Sequence, residues 1–206
     1  DAYYWAKKYD EAIGSISESL TYEPNNLHAL SIRSMSYIKT GKYDLAFEDI
    51  TKGLAITPKD VDLLTNRGFA YYSSKKYDLA LTDFTEALRI DPNNIFAWLY
   101  RGNTYATIGN HDLAIPDFTQ ALLIDPKNIE ALYSRGLANY YADKNQAAVN
   151  DFTEVLKLSP QYPDALTYRG DAYKEMGKYD LALKDYDEAL RINPKNADAL
   201  TSRGLC

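Results

Sequence analysis

Six of the eight prolines in this chain, Pro24, Pro58, Pro92, Pro126, Pro160 and Pro194, are spaced 34 residues apart with no insertion or deletion between them. A fixed period of that length marks a repeat architecture and has to be read before any local pattern. Three further residue types keep the same step. They are arginine (Arg33, Arg67, Arg101, Arg135, Arg169, Arg203), glycine (Gly68, Gly102, Gly136, Gly170, Gly204) and alanine (Ala12, Ala46, Ala80, Ala114, Ala148, Ala182). Four residue types in one phase divide the chain into five full units, 27–60, 61–94, 95–128, 129–162 and 163–196, flanked by partial units 1–26 and 197–206. Residues 1–206 are therefore expected to form a single repeat domain. Because residue 1 opens inside a unit and Cys206 falls inside a first helix, the chain is expected to be a piece of a longer protein.

Within one unit the pattern is that of two helices. In 61–94, Leu64, Phe69, Ala70 and Tyr71 lead to a polar break at Ser73 to Lys76. Then Tyr77, Ala80, Leu81, Phe84, Ala87, Leu88 and Ile90 follow the i, i+3, i+4, i+7 spacing of an amphipathic helix. The sequence Asp91-Pro92-Asn93-Asn94 ends it, since the residue before proline is pushed out of the α region. Gly41, Gly109 and Gly177 fall in the first break, where a left-handed C-cap joins antiparallel helices. Strand-like alternation is absent, so the fold class is all-α. Gly68 and its equivalents lie mid-helix, where glycine costs about 1 kcal/mol against alanine, and this predicts a close backbone approach near Ala80 and its equivalents. One helix pair cannot cover both its apolar faces, so neighbouring pairs must stack.

Composition narrows function. The chain has 23 Lys and Arg against 29 Asp and Glu, a net charge of −6, which argues against binding nucleic-acid phosphates. No apolar run reaches the roughly 18 residues of a membrane span. Cys206 is the single cysteine, and only His28 and His111 accompany it, so no nucleophile–base set and no cysteine-based metal site is expected. No cofactor is expected. The cytoplasm is the favoured compartment.

These residues resemble the tetratricopeptide repeat family. The signature of a bulky apolar residue, Gly, Tyr, Ala, an aromatic, Ala and Pro reads Trp98, Gly102, Tyr105, Ala114, Phe118, Ala121 and Pro126 in one unit. It reads Leu166, Gly170, Tyr173, Ala182, Tyr186, Ala189 and Pro194 in another. The resemblance implies a right-handed superhelical solenoid of antiparallel helix pairs, whose first helices line a groove that binds peptides or helices. It also implies a non-catalytic scaffold. Members that bind acidic chaperone tails use a Lys, Asn and Arg clamp, which Asp62, Glu130 and Asp164 at the matching offsets do not rebuild. The family usually has leucine where this chain has arginine before glycine. Asp49, Asp83, Asp117, Asp151 and Asp185 share the 34-residue step, so Arg–Asp pairs tying first to second helices are expected. Unit 129–162 departs most, with Asn139 for tyrosine and Asp143 for the turn glycine, and a looser local packing is expected there.

By the family's geometry the partner-binding candidates are Asn66, Phe69, Tyr72, Phe96, Leu99, Tyr100, Asn103, Tyr133, Tyr140, Tyr168 and Asp171. Aromatics are interface anchors because they offer large area with few rotors. With the acidic Asp62, Glu130, Asp164 and Glu175 nearby, they point to a protein or peptide ligand with apolar and some basic side chains. Two other readings stand beside this adaptor role: a substrate-docking or regulatory segment of a larger enzyme, and a homo-oligomer assembled through uncapped repeat ends.

Overall fold

The structure is a computed structural model that describes the backbone of residues 2–206 and the side chains of residues 8–206. Every described secondary-structure element is helical. First helices are α2 (Leu27–Lys39), α4 (Val61–Ser73), α6 (Ile95–Thr107), α8 (Ile129–Tyr141), α10 (Pro163–Glu175) and α12 (Ala197–Gly204). Second helices are α3 (Tyr43–Ile56), α5 (Tyr77–Ile90), α7 (His111–Ile124), α9 (Asn145–Leu158) and α11 (Tyr179–Ile192). The first element, α1 (Ala2–Tyr22), is longer than any of them.

Local chemistry sets these boundaries. Asn26, Asp60, Asn94, Asn128 and Asn196 each accept a hydrogen bond from the backbone N–H three residues on, capping a first helix. At the equivalent Tyr162 no side chain caps the helix, and Pro163 takes its first turn instead. The turn between the helices of a hairpin needs one left-handed residue. Glycine supplies it at Gly41, Gly109 and Gly177, while Lys75 and Asp143 adopt φ of 60° and 57° at the same step. Each second helix ends two residues before a repeat proline. Pro116 is the sixth residue of α7, past the free first turn, so it removes one helical hydrogen bond while α7 still runs unbroken to Ile124.

The chain forms two compact units, one up to Thr104 and the other Tyr105–Cys206. In the first, α2 packs on α3, α3 on α4 and α4 on α5, and the first helices α2 and α4 lie side by side. Its core joins Ile38, Ile50, Leu63, Phe84 and Leu88 through small spacers such as Ala46, Ala70 and Ala80. In the second unit α7 through α12 pack in sequence, with α8 beside α10 and α10 beside α12. Phe118, Phe152 and Tyr186 are fully buried there.

The mid-helix glycines do not serve a backbone approach near Ala80. A Cβ on Gly68, Gly136 or Gly170 would come within 2.7, 2.7 and 2.6 Å of a ring carbon of Phe84, Phe152 and Tyr186, so each glycine seats the aromatic 16 residues later. Four of the phased arginines form the expected pair. Arg33, Arg67, Arg135 and Arg169 each donate through Nε and Nη2 to Asp49, Asp83, Asp151 and Asp185 of their own unit. The remaining guanidinium nitrogen reaches back to the preceding helix, as Arg33 does to Ser17, Arg101 to Thr85, Arg135 to Thr119 and Arg169 to Thr153. Asn139 does not loosen its unit: it is buried and donates to Asp151 Oδ2 at 2.9 Å, joining the Arg135 pair.

Candidate functional site

The first helices carry two aromatic clusters, one in each unit. In the first unit, Phe69 and Tyr72 on α4 meet Phe96 and Tyr100 on α6. Ring centroids lie 4.5 Å apart for Phe69–Tyr100, 5.6 Å for Phe69–Phe96, 4.3 Å for Phe96–Tyr100 and 5.9 Å for Tyr72–Tyr100. Three of these four contacts are edge-on, the geometry favoured by the ring quadrupole. Lys39 Nζ sits 4.4 Å above the Phe69 ring. Beside the cluster is an open hollow of about 320 Å3, bordered by Met35, Asn66 and Phe96 on the first helices and by Tyr9 of α1.

In the second unit, Tyr133 and Tyr140 on α8 meet Tyr168 on α10, at 6.3 and 5.9 Å. Tyr162, at the start of α10, lies 5.1 Å from Tyr133, and Tyr141 lies 5.3 Å from Tyr140. A hollow of about 310 Å3 opens here among Tyr140, Tyr141, Tyr168, Asp171 and Asp198, with Thr201 and Ser202 at its rim. The phenols of Tyr140 and Tyr168 are raised above the ordinary tyrosine value. Tyr140 is pushed up to about 12, by burial first and then by the carboxylates of Asp171, Glu175 and Asp143. Tyr168 is raised by the Tyr141 hydroxyl beside it, then by burial, with Asp198 and Asp171 adding to the effect.

The candidates from sequence sit at two depths. Tyr72, Phe96, Tyr100, Asn103, Tyr133, Tyr140 and Tyr168 are half-buried. Asn66, Phe69, Leu99 and Asp171 are buried. Asn66 Nδ2 donates to Ser31 O, Ser31 Oγ and Ser34 Oγ at 2.9, 3.1 and 3.0 Å, linking two adjacent first helices. Asp171 Oδ1 accepts from the Tyr186 hydroxyl at 2.8 Å. Tyr162 and Asp198 join the second cluster without having been among the candidates. Asp198 shares its offset with Asp164, Glu130 and Asp62, and that step was the signal available for it.

Residues able to do other chemistry are scattered. His28 is exposed, His111 stacks on Tyr141 at 5.2 Å, and Cys206 is exposed. Among the described residues no group of three His, Cys, Asp or Glu is placed to hold a metal ion, and no helix is long and apolar enough to cross a membrane. A further hollow, about 670 Å3, lies along α11 among paired charges such as Arg169 and Asp185, away from the aromatic rings.

Repeated helical hairpins of one length, ringed by aromatics on their first helices, define an α-helical repeat protein. The chain belongs to the tetratricopeptide repeat family: models of that repeat match residues 61–94, 95–128 and 163–196, and a second such model matches 27–60. Similar solved structures include YrrB, described as a TPR protein with an unusual peptide-binding site, at TM-score 0.80 and 19% identity over 92% of this chain and 97% of that one. A structure of MamA has 32% identity and TM-score 0.65 over 67% of this chain and 81% of that one. Another MamA structure has 21% identity and TM-score 0.74 over 83% and 93%. No curated protein matches the chain. The family is that of protein-interaction repeats.

Proposed function

We propose that the chain is a non-catalytic adaptor that binds a peptide or helix along the face formed by its first helices. The observation that carries this reading is the pair of aromatic clusters, the buried Phe69 with half-buried Tyr72, Phe96 and Tyr100 in one unit and half-buried Tyr133, Tyr140 and Tyr168 in the other, each beside a hollow. Rings that keep an exposed edge beside an open volume offer apolar area at low entropic cost to a ligand. The carboxylates on the same helices, Asp62, Glu130, Asp164 and Glu175, favour a ligand that brings apolar side chains together with Lys or Arg. Peptide binding by the similar protein YrrB is consistent with this role.

Tyr100 and Tyr133 are poor positions for a test, because they touch the fully buried rings of Phe84 and Phe152 at 6.3 and 5.8 Å. Tyr72 and Tyr141 are better placed. Peptides selected from a displayed library on the whole chain should lose about 5–10-fold in affinity to Tyr72→Ala or Tyr141→Ala. Leu79→Ala, on an exposed second-helix position, should leave binding unchanged. Selection that returns nothing above background, or peptides sensitive to Leu79→Ala and indifferent to the tyrosines, would overturn the reading.

A further inference from the structure

The hollow between α8, α10 and α12 has a feature that peptide binding in general does not require. Asp171 is only 9% exposed, yet it carries a carboxylate. One oxygen accepts from the Tyr186 hydroxyl, and no cation among the described residues pairs with the other. The cations of neighbouring helices are spent elsewhere: Arg169 on Asp185, Arg203 on Asp187, and Lys144 on Asp112. Lys174, on the same helix, does not line the hollow.

An internal acceptor for Tyr186 explains only part of this. Phe84, Phe118 and Phe152 occupy the matching offset in other units, so the Tyr186 hydroxyl is an addition that needs a partner. Asparagine would accept that hydrogen bond with no charge to bury. A carboxylate adds a negative charge on a residue only 9% exposed, which is costly unless a cation meets it. The offset of Asp171 carries Met35, Phe69, Asn103 and Leu137 elsewhere, so the charge belongs to this unit alone.

The surroundings fit a cation brought from outside. Asp198 faces the same volume from α12, and the charged groups acting on the Tyr140 and Tyr168 hydroxyls are carboxylates. The Tyr140 ring stands at 66° to both Tyr141 and Tyr168, making a corner of aromatic walls. Aromatic faces and carboxylates together hold a guanidinium better than any neutral group: the planar cation stacks on a ring while its N–H groups reach the oxygens. A volume of about 310 Å3 admits one long side chain.

We infer that the hollow bounded by Tyr140, Tyr141, Tyr168, Asp171 and Asp198 is a subsite for one cationic side chain of a bound polypeptide, with arginine preferred over lysine. This rests on the proposed peptide-binding role of the first-helix face and specifies the ligand chemistry at one point on it.

The test uses the whole chain with 13C-labelled tyrosine rings, titrated with capped pentapeptides Gly-Gly-X-Gly-Gly in which X is arginine, lysine, citrulline or norleucine. Arginine should bind tightest, shifting the Tyr140, Tyr141 and Tyr168 rings. Lysine should follow, and citrulline, of the same shape without the charge, should bind about tenfold more weakly or worse. Asp171→Asn keeps an acceptor for Tyr186 and removes only charge. It should lower arginine affinity about tenfold without lowering the unfolding midpoint, and Asp198→Asn should act in the same direction. Citrulline binding as well as arginine, indifference to Asp171→Asn, or no shift of these rings by any pentapeptide would overturn the inference. In each case the wider reading would survive if library peptides still bound in a manner sensitive to Tyr72. It would fail with the inference only if library selection also returned nothing.

Discussion

The arginine that precedes Gly170 joins three helices with one side chain. Arg169 sits on α10, gives two hydrogen bonds to Asp185 on α11 at 2.8 and 2.7 Å, and gives a third to Thr153 on α9 at 3.2 Å. Both partners of the ion pair are largely covered, the side chains being 19% and 8% exposed. Removing the aspartate leaves a half-buried guanidinium without its carboxylate, a loss of about 2–3 kcal/mol. Arg203 makes the contrasting case: Asp187 stands where other units have the backward-facing hydroxyl, and that pair is 43% and 65% exposed. Solvent screens such a pair, and its loss costs less than about 1 kcal/mol. In urea titration, Asp185→Ala should lower the unfolding free energy by about 2–3 kcal/mol, while Asp187→Ala should change it by less than half as much. Equal effects would mean that the covered geometry adds nothing to the pair.

At the scale of the helix, the glycine seat fixes the spacing within a hairpin. Gly136 lies under the fully buried Phe152 ring, so an added methyl would stand 2.7 Å from an aromatic carbon with no room to yield. Overpacking costs about 1–3 kcal/mol, and the better helix propensity of alanine returns about 1 kcal/mol. Gly136→Ala should therefore destabilise, whereas the exposed and unobstructed Gly14 in α1 should gain stability from the same change, by about 0.5–1 kcal/mol, in thermal unfolding. The glycine seats read from sequence as backbone approaches, whereas turns and helix ends are where sequence was most legible. Few residue types fit each of these positions, which is why one 34-residue phase located every hairpin. Depth on the first helices was less legible. A first helix is flanked by other first helices, so an offset that names a face does not say whether the side chain ends in solvent or in the neighbour. Asn66 and Asp171 are of that kind: both occupy candidate offsets, yet Asn66 ties α4 to α2 and Asp171 holds the Tyr186 hydroxyl. Asp198 was missed because the hollow it lines is completed by Tyr140 and Tyr141 from α8, two units away in sequence.

Among the described residues, contacts within each unit run between consecutive helices or between adjacent first helices. Stability in such a chain is close to a sum of hairpin terms and nearest-neighbour interfaces, so damage stays local. The two tryptophans, Trp5 and Trp98, both fall in the part of the chain up to Thr104, whereas helical circular dichroism reports on all of it. This separation makes locality measurable. In Asp185→Ala, helicity should begin to fall at lower urea than in the unaltered chain, with the indole emission midpoint moving by much less. The gap between the two transitions should close again when the matching change, Asp83→Ala, is added in the first unit, where Asp83 holds Arg67 at 2.7 and 2.8 Å. Coincident shifts of both signals in the single variant would show instead that the repeats unfold as one cooperative body, and that the energy of each Arg–Asp pair is shared along the chain.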